Sequence, residues 1–124
     1  MIRALAIWGT LAVAPVLAQN QQPGEDVASG VGAVLRGLDK VNGEIVDVEL
    51  FAGGGRSVLG LEVELADCRY PTNNPTGDAF AFLTIHEFGS QEIAFQGWMI
   101  ATAPALNALD HSRYDIWVLR CITS

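Results

Sequence analysis

The chain has 124 residues, half of them apolar, and its 14 acidic against 7 basic side chains leave a net charge of −7. So few Lys and Arg release few counterions from phosphates, which excludes nucleic acid as a partner and sets the protein against anionic lipid surfaces. Its length fits one domain with a single modest core.

Met1-Ile2-Arg3 carries one positive charge, and Ala4 to Leu17 follows without another. A short charged start followed by an apolar run is the pattern of a secretory signal peptide, and Val16-Leu17-Ala18 presents small side chains for cleavage before Gln19. The run is shorter than the roughly 20 apolar residues of a spanning helix, and its polar, acidic flank from Gln19 to Asp26 is no stop-transfer signal. No cysteine follows the run to take a lipid. The expected organisation is a signal peptide over residues 1–18, a flexible leader over 19–32 rich in Gln, Gly, Pro and acidic residues, and a single β domain over 33–124 that works in the periplasm as a soluble protein. Removing Arg3 with the signal leaves 14 acidic and 6 basic side chains, a net charge of −8. Gly30-Val31-Gly32 lacks the third glycine of a dinucleotide fingerprint and precedes a strand rather than following one.

From Val34 onward the pattern is β. Val34 to Lys40 and Glu44 to Phe51 flank Asn42-Gly43, a pair that accepts positive φ and favours a tight hairpin. In the second segment Val46, Val48 and Leu50 alternate with Asp47 and Glu49, which predicts one buried and one wet face. Gly53-Gly54-Gly55 makes the next connection. Leu61, Val63 and Leu65 alternate with Glu62 and Glu64 up to Cys68. Strict alternation puts Cys68 on the wet side, so either a bulge near Ala66-Asp67 changes the phase or Cys68 lies at a sheet edge.

Arg69 to Asp78, with two prolines and two asparagines, predicts a long loop. Ala79 to His86 is apolar on both faces and predicts a central strand, with Glu92 to Trp98 as its hairpin partner. Pro104, Leu106 and Leu109 predict one short helix near 104–110. Tyr114 to Cys121 is again apolar on both faces and predicts a second central strand. Six or seven short strands with one short helix indicate an all-β fold, a small sandwich or barrel.

Cys68 and Cys121 are both in the exported part, and an even cysteine count in an oxidising compartment predicts a disulfide. Closing a loop of 53 residues restricts the unfolded chain by roughly 4 kcal/mol. There is no C-x-x-C pair, hence no thioredoxin-like or zinc-ribbon site.

Three constellations bear on chemistry. His86-Glu87 and Asp110-His111 are of the types that bind zinc or transfer protons, but at no recognised spacing. Ser57, Ser90, Ser112 and Ser124 have no G-x-S-x-G setting. Trp98, Tyr114 and Trp117 are candidate ligand contacts, because indole and phenol rings stack on sugars or anchor partner proteins. Alternation places Trp117 with Leu119 and Cys121, which favours packing against the disulfide. No catalytic, metal or cofactor site follows from these residues, and no cofactor is expected.

Gly97-Trp98-Met99, Pro104-Ala105-Leu106-Asn107 and Tyr114-Asp115-Ile116-Trp117-Val118-Leu119 ending at Cys121 resemble a family of small exported alphaproteobacterial proteins classed only as a domain of unknown function. Leu35-Arg36-Gly37-Leu38-Asp39-Lys40 and Cys68 with Pro71 fit its N-terminal portion. The resemblance implies an envelope location and a Cys68–Cys121 pair, and it carries over no catalytic or binding residue. The expected function is a non-enzymatic interaction or assembly factor with an envelope protein as partner. A glycan or peptidoglycan binding module is the alternative, and a metal-dependent or other hydrolase stands third. Oligomeric state is not legible.

Overall fold

The computed structural model describes residues 26–124, so the expected signal peptide and the first part of the leader lie outside the described residues. Eight strands and one 3-10 turn make up the described chain: β1 (Val27–Ser29), β2 (Gly32–Asp39), β3 (Ile45–Phe51), β4 (Gly55–Val58), β5 (Leu61–Pro71), β6 (Phe80–Glu87), β7 (Ile93–Ile100), the turn Pro104–Leu106 and β8 (Tyr114–Ile122). They form two antiparallel sheets. The larger runs β1-β5-β6-β7 with β4 also paired to β5, and the smaller runs β3-β2-β8. Facing each other, they make the expected all-β sandwich.

Alternation builds the core. Leu61, Val63 and Leu65 of β5, Leu83 and Ile85 of β6, Met99 of β7, Leu35 of β2 and Ile116 and Val118 of β8 are each at most 2% exposed. Their polar neighbours in sequence turn to water, as a half-buried antiparallel sheet requires. The two strands beyond the expected six are short. One of them, Val27–Ser29, lies within the stretch assigned to the leader, where it pairs with Arg69–Pro71.

Cys68 reaches the core through a bulge. The β5–β6 register shifts between Leu65 and Asp67, so Ala66 is the extra residue and Cys68 turns inward, fully buried. Its Sγ lies 2.11 Å from that of Cys121, and the bond ties the larger sheet to the smaller.

A second bulge corrects the expectation for Trp117. The β2–β8 register shifts between Val34 and Leu35, opposite Leu119. Ile116, Val118 and Cys121 therefore point inward while Trp117 points out, away from the disulfide. Nor is β8 a central strand, for it is the edge of the smaller sheet, and β2 is the centre. On the outer side of β8, Asp115 and Trp117, with Ile116, border Pro104, Ala105 and Ala108 around a concavity of about 370 Å³.

Two local expectations are tightened. The β2–β3 connection has positive φ only at Gly43 (φ 81), so Lys40–Gly43 forms a longer loop than a two-residue turn, closed by the Gly43 N–H donating to Asp39 O at 2.8 Å. The helix near 104–110 is a single 3-10 turn. Leu106 is 74% exposed and Leu109 6%, so the two leucines do not share a face.

Candidate functional site

One end of the sandwich holds most of the polar residues that looked like chemistry. Asp39 ends β2 on the inward-facing parity and its side chain is 4% exposed. Arg113, just before β8, donates to it from Nε at 3.1 Å and from Nη2 at 2.8 Å, and the Val41 N–H adds a bond of 2.9 Å. The Arg113 hydrogen bonds hold the Asp39 carboxyl below the usual aspartate range, against the opposing pull of desolvation. Beside this pair, Lys40 Nζ donates to the His111 carbonyl at 2.7 Å.

His111 and Glu87 do meet, with Nε2 at 3.0 Å from Oε2. The other ring nitrogen, Nδ1, accepts from the backbone N–H groups of Arg113 and Tyr114 at 3.0 and 3.1 Å. Those bonds assign the ring proton to Nε2, where it is donated to Glu87. Both nitrogens are thus occupied, and neither is left to take a proton from a nucleophile. His86 is not part of the cluster. It sits in mid-sheet between Glu62 and Ile93, and its Nδ1 makes only a 3.4 Å contact with the Glu87 carbonyl. Among the described residues no group of three or more His, Cys, Asp or Glu is arranged to hold a metal ion. His111 and Glu87 pin the loop before β8 to the β6–β7 turn.

Tyr114 belongs to the same end. Its ring packs partly into the core, with the Arg113 guanidinium 5.3 Å from its centroid and the His111 ring at 5.3 Å. Its hydroxyl end meets the backbone at Gly60, where a Cβ would stand 2.6 Å from the oxygen. Arg113, His111 and the Gly60 backbone thus crowd a ring that is half-buried.

The outer face of the larger sheet is different in kind. Phe82 and Trp98 are cross-strand partners with rings edge-on at 5.4 Å. Phe80 and Ile100 pair one step further along, and Val27 of β1 borders them, 49% exposed. Val27, Phe80, Trp98 and Ile100, with Arg69, line a shallow concavity of about 250 Å³. The Arg69 guanidinium lies 5.0 Å from the Trp98 centroid while its Nε pairs with Asp67 at 2.8 Å. Arg69 so supplies a cation over the indole, an arrangement that adds attraction and orients both side chains.

Trp98 is positioned from its other side by Asn107, whose Nδ2 donates to the Trp98 carbonyl at 2.8 Å. A side chain at Gly97 would collide with that amide, its Cβ standing 2.9 Å from Nδ2. The Gly97-Trp98 and Pro104-to-Asn107 segments thus form one interlocking unit. The three aromatic candidates do not converge, with Trp98 on the outside of the larger sheet, Trp117 on the outside of the smaller and Tyr114 at one end.

The profile of a family described as "Uncharacterized protein conserved in bacteria (DUF2155)" matches residues 33–121. The chain belongs to that family. The matched region starts in β2 and closes at Cys121, so it contains both cysteines, the Asp39–Arg113 pair and the Trp98–Asn107 unit. Among curated proteins, the "Uncharacterized protein RP359" of Rickettsia prowazekii (strain Madrid E) is 25% identical over 87 residues, covering 68% of this chain and 56% of the relative. The chain therefore spans little more than half the length of that relative. No solved structure matches.

Sequence reasoning did not find Arg69 or the partners of Asp39. The signal for Asp39 was present, because Leu35, Gly37 and Asp39 share a parity and a carboxylate on a buried parity requires a partner. Arg69 gave none, since its role depends on the β5 bulge and on the pairing of β5 with β6.

Proposed function

We propose that the domain is exported to the periplasm and acts there as a non-enzymatic recognition module for another envelope protein, with the Trp98 face of the larger sheet as its contact surface. The observation that carries this reading is that face itself, where Phe80, Phe82, Trp98, Ile100 and Val27 lie together in a strongly acidic chain and are crossed by a single cation. These rings are half-buried, and tryptophan and arginine are among the side chains most enriched in the energetic centres of protein interfaces. The signal-like N-terminus and the cysteines at bonding distance support an oxidising compartment. No helix of the described residues is long and apolar enough to cross a membrane.

Arg69 over Trp98 and the covered ring of Tyr114 weigh against a glycan reading at those two residues, because a sugar would have to displace the guanidinium to stack. With both nitrogens of His111 engaged, the Glu87–His111 pair gives no support to a hydrolase either. The test is affinity capture from envelope extracts with the natively processed protein and with Trp98→Ala, each shown by near-ultraviolet circular dichroism to be folded. A defined protein recovered by the wild type and lost with the variant supports the reading. Sedimentation with peptidoglycan that is lost in the variant, with no protein recovered, would replace it with the glycan alternative.

A further inference from the structure

The edges of the two sheets are not equally protected. Edge strands normally resist pairing with other chains by being short or by carrying charges or proline. β1 has three residues and β4 four, with Arg56 in the latter. β3 carries Asp47 and Glu49, and β8 carries Asp115 and Arg120. β7, Ile-Ala-Phe-Gln-Gly-Trp-Met-Ile, has eight residues with no charge and no proline; its one protective device is a bulge at Ala94, where Phe95 faces Ile85 and Ile93 faces His86, and among the described residues no strand lies beyond it.

The direction of its backbone groups is fixed by their partners. The Trp98 carbonyl accepts from Asn107 and the Ile100 carbonyl from the Ala103 N–H, both on the side away from β6, while the Ala101 N–H donates back to Ala79. Alternate residues of an antiparallel strand turn both backbone groups to the same side. Gln96 therefore presents its N–H and C=O outward, in phase with Trp98. Asn107 closes the edge at Trp98; below it the edge is open at Gln96 as far as the bulge at Ala94, beyond which Ile93 is 52% exposed.

At the foot of that open stretch Glu87, Ser90, Glu92, Ile93 and Ala94 line a cleft of about 320 Å³. Two carboxylates in a cleft that continues a free strand edge select a cation at one end of whatever pairs there. A chain with twice as many acidic as basic side chains adds a long-range pull of the same sign.

We infer that the free edge of β7 pairs with an extended segment of a partner protein, and that the cleft at Glu87 and Glu92 takes a Lys or Arg side chain of that segment. This rests on the protein-recognition role proposed above and specifies its geometry: main-chain pairing at Gln96, above the bulge at Ala94, supplies affinity, and the side chains of the added strand lie beside Trp98.

The test is selection from a phage-displayed library of random peptides of about ten residues on the natively processed protein, followed by binding measurements on the synthetic enriched peptide. Enriched sequences are expected to alternate apolar and polar residues and to end in Lys or Arg. Methylating alternate backbone nitrogens of the peptide should weaken binding roughly tenfold or more, because main-chain donors carry it. Gln96→Pro should weaken it by a similar factor, since proline at an outward-facing edge position removes the donor without breaking the ladder to β6. Glu92→Lys should shift selection toward acidic ends. The methylated peptide reads the same contact on the unaltered protein, so the test stands even where Gln96→Pro fails to fold. Enriched peptides insensitive to methylation and to Gln96→Pro, or no enrichment at all, would overturn the edge inference, while Trp98-dependent capture of an envelope protein would still uphold the recognition role. Self-association abolished by Gln96→Pro would overturn it in favour of pairing between two copies of β7.

Discussion

The polar end of the sandwich and the outer face of its larger sheet use similar raw material to different ends. At the polar end the titratable groups that face the fold have partners within the chain: Asp39 has Arg113, His111 has Glu87 and two backbone N–H groups, and Lys40 has a carbonyl, while the candidate Asp110 is exposed to water. On the outer face Trp98 and Phe82 are held as well, by Asn107 from behind and by each other, and they stay half-exposed beneath one guanidinium. Hydrogen-bond accounting therefore tells scaffold from surface better than residue type does. Titratable residues whose capacity is taken up within the chain stabilise the fold, whereas the half-buried aromatic residues of the outer face form the surface proposed for a partner.

The scaffold half of this comparison is best broken at its strongest tie. Replacing Cys68 and Cys121 by Ala should lower unfolding free energy by roughly 4 kcal/mol, seen as a lower urea midpoint, and reductant should do the same to the wild type. A midpoint unmoved by either would mean that the sheets hold together without the bond.

Next in size is Asp39→Asn, which removes the buried carboxylate that the half-exposed Arg113 guanidinium pairs with. The midpoint should fall at neutral pH, and the pH profile should flatten as well. Asp39 in the folded state titrates below its ordinary value, chiefly through the Arg113 hydrogen bonds, and Asp47 does so through those of Arg36. Their stabilisation is therefore fully present above the ordinary aspartate pKa of about 4 and is lost as pH falls through the depressed folded values. Urea midpoints between about pH 7 and pH 2 should show an acid-side decline in the wild type that is shallower in Asp39→Asn. Equal slopes would remove Asp39 from the account.

The smallest effect sharpens the link between scaffold and surface. Asn107→Ala should cost about 1 kcal/mol through the lost bond to the Trp98 carbonyl. Gly97→Ala should also destabilise, by collision with the same amide. In the double variant the two penalties should sum to less than their separate values, because removing the amide removes the collision. Strict additivity would show that Gly97 and Asn107 do not interlock.

How far the sequence reached follows the same division. Period-2 alternation in Leu61 to Leu65 and Val46 to Leu50 gave the strands and their buried faces, because side-chain parity is local. Ala79 to His86 was recognisable as a central strand by its lack of a wet face. Tyr114 to Leu119 looked the same and is an edge, because strand order depends on pairing between distant segments and leaves no trace in the strand's own periodicity. The bulge at Ala66 was legible as a conflict between Cys68 and its parity. The one at Leu119 was not, because Leu119 and Trp117 suit either face. Of the candidate residues, Trp98 stood out by residue type alone, but the place of Arg69 beside it and the edge of β7 exist only once β5, β6 and β7 are in register.

Site-specific photo-crosslinking in intact cells tests the central claim most directly, with a benzophenone side chain placed at Gln96, beside Trp98, or at Asp47 on the outside of the opposite sheet. The account predicts a discrete protein adduct from position 96 and none from position 47. Adducts from position 47 alone, or from neither, would contradict it.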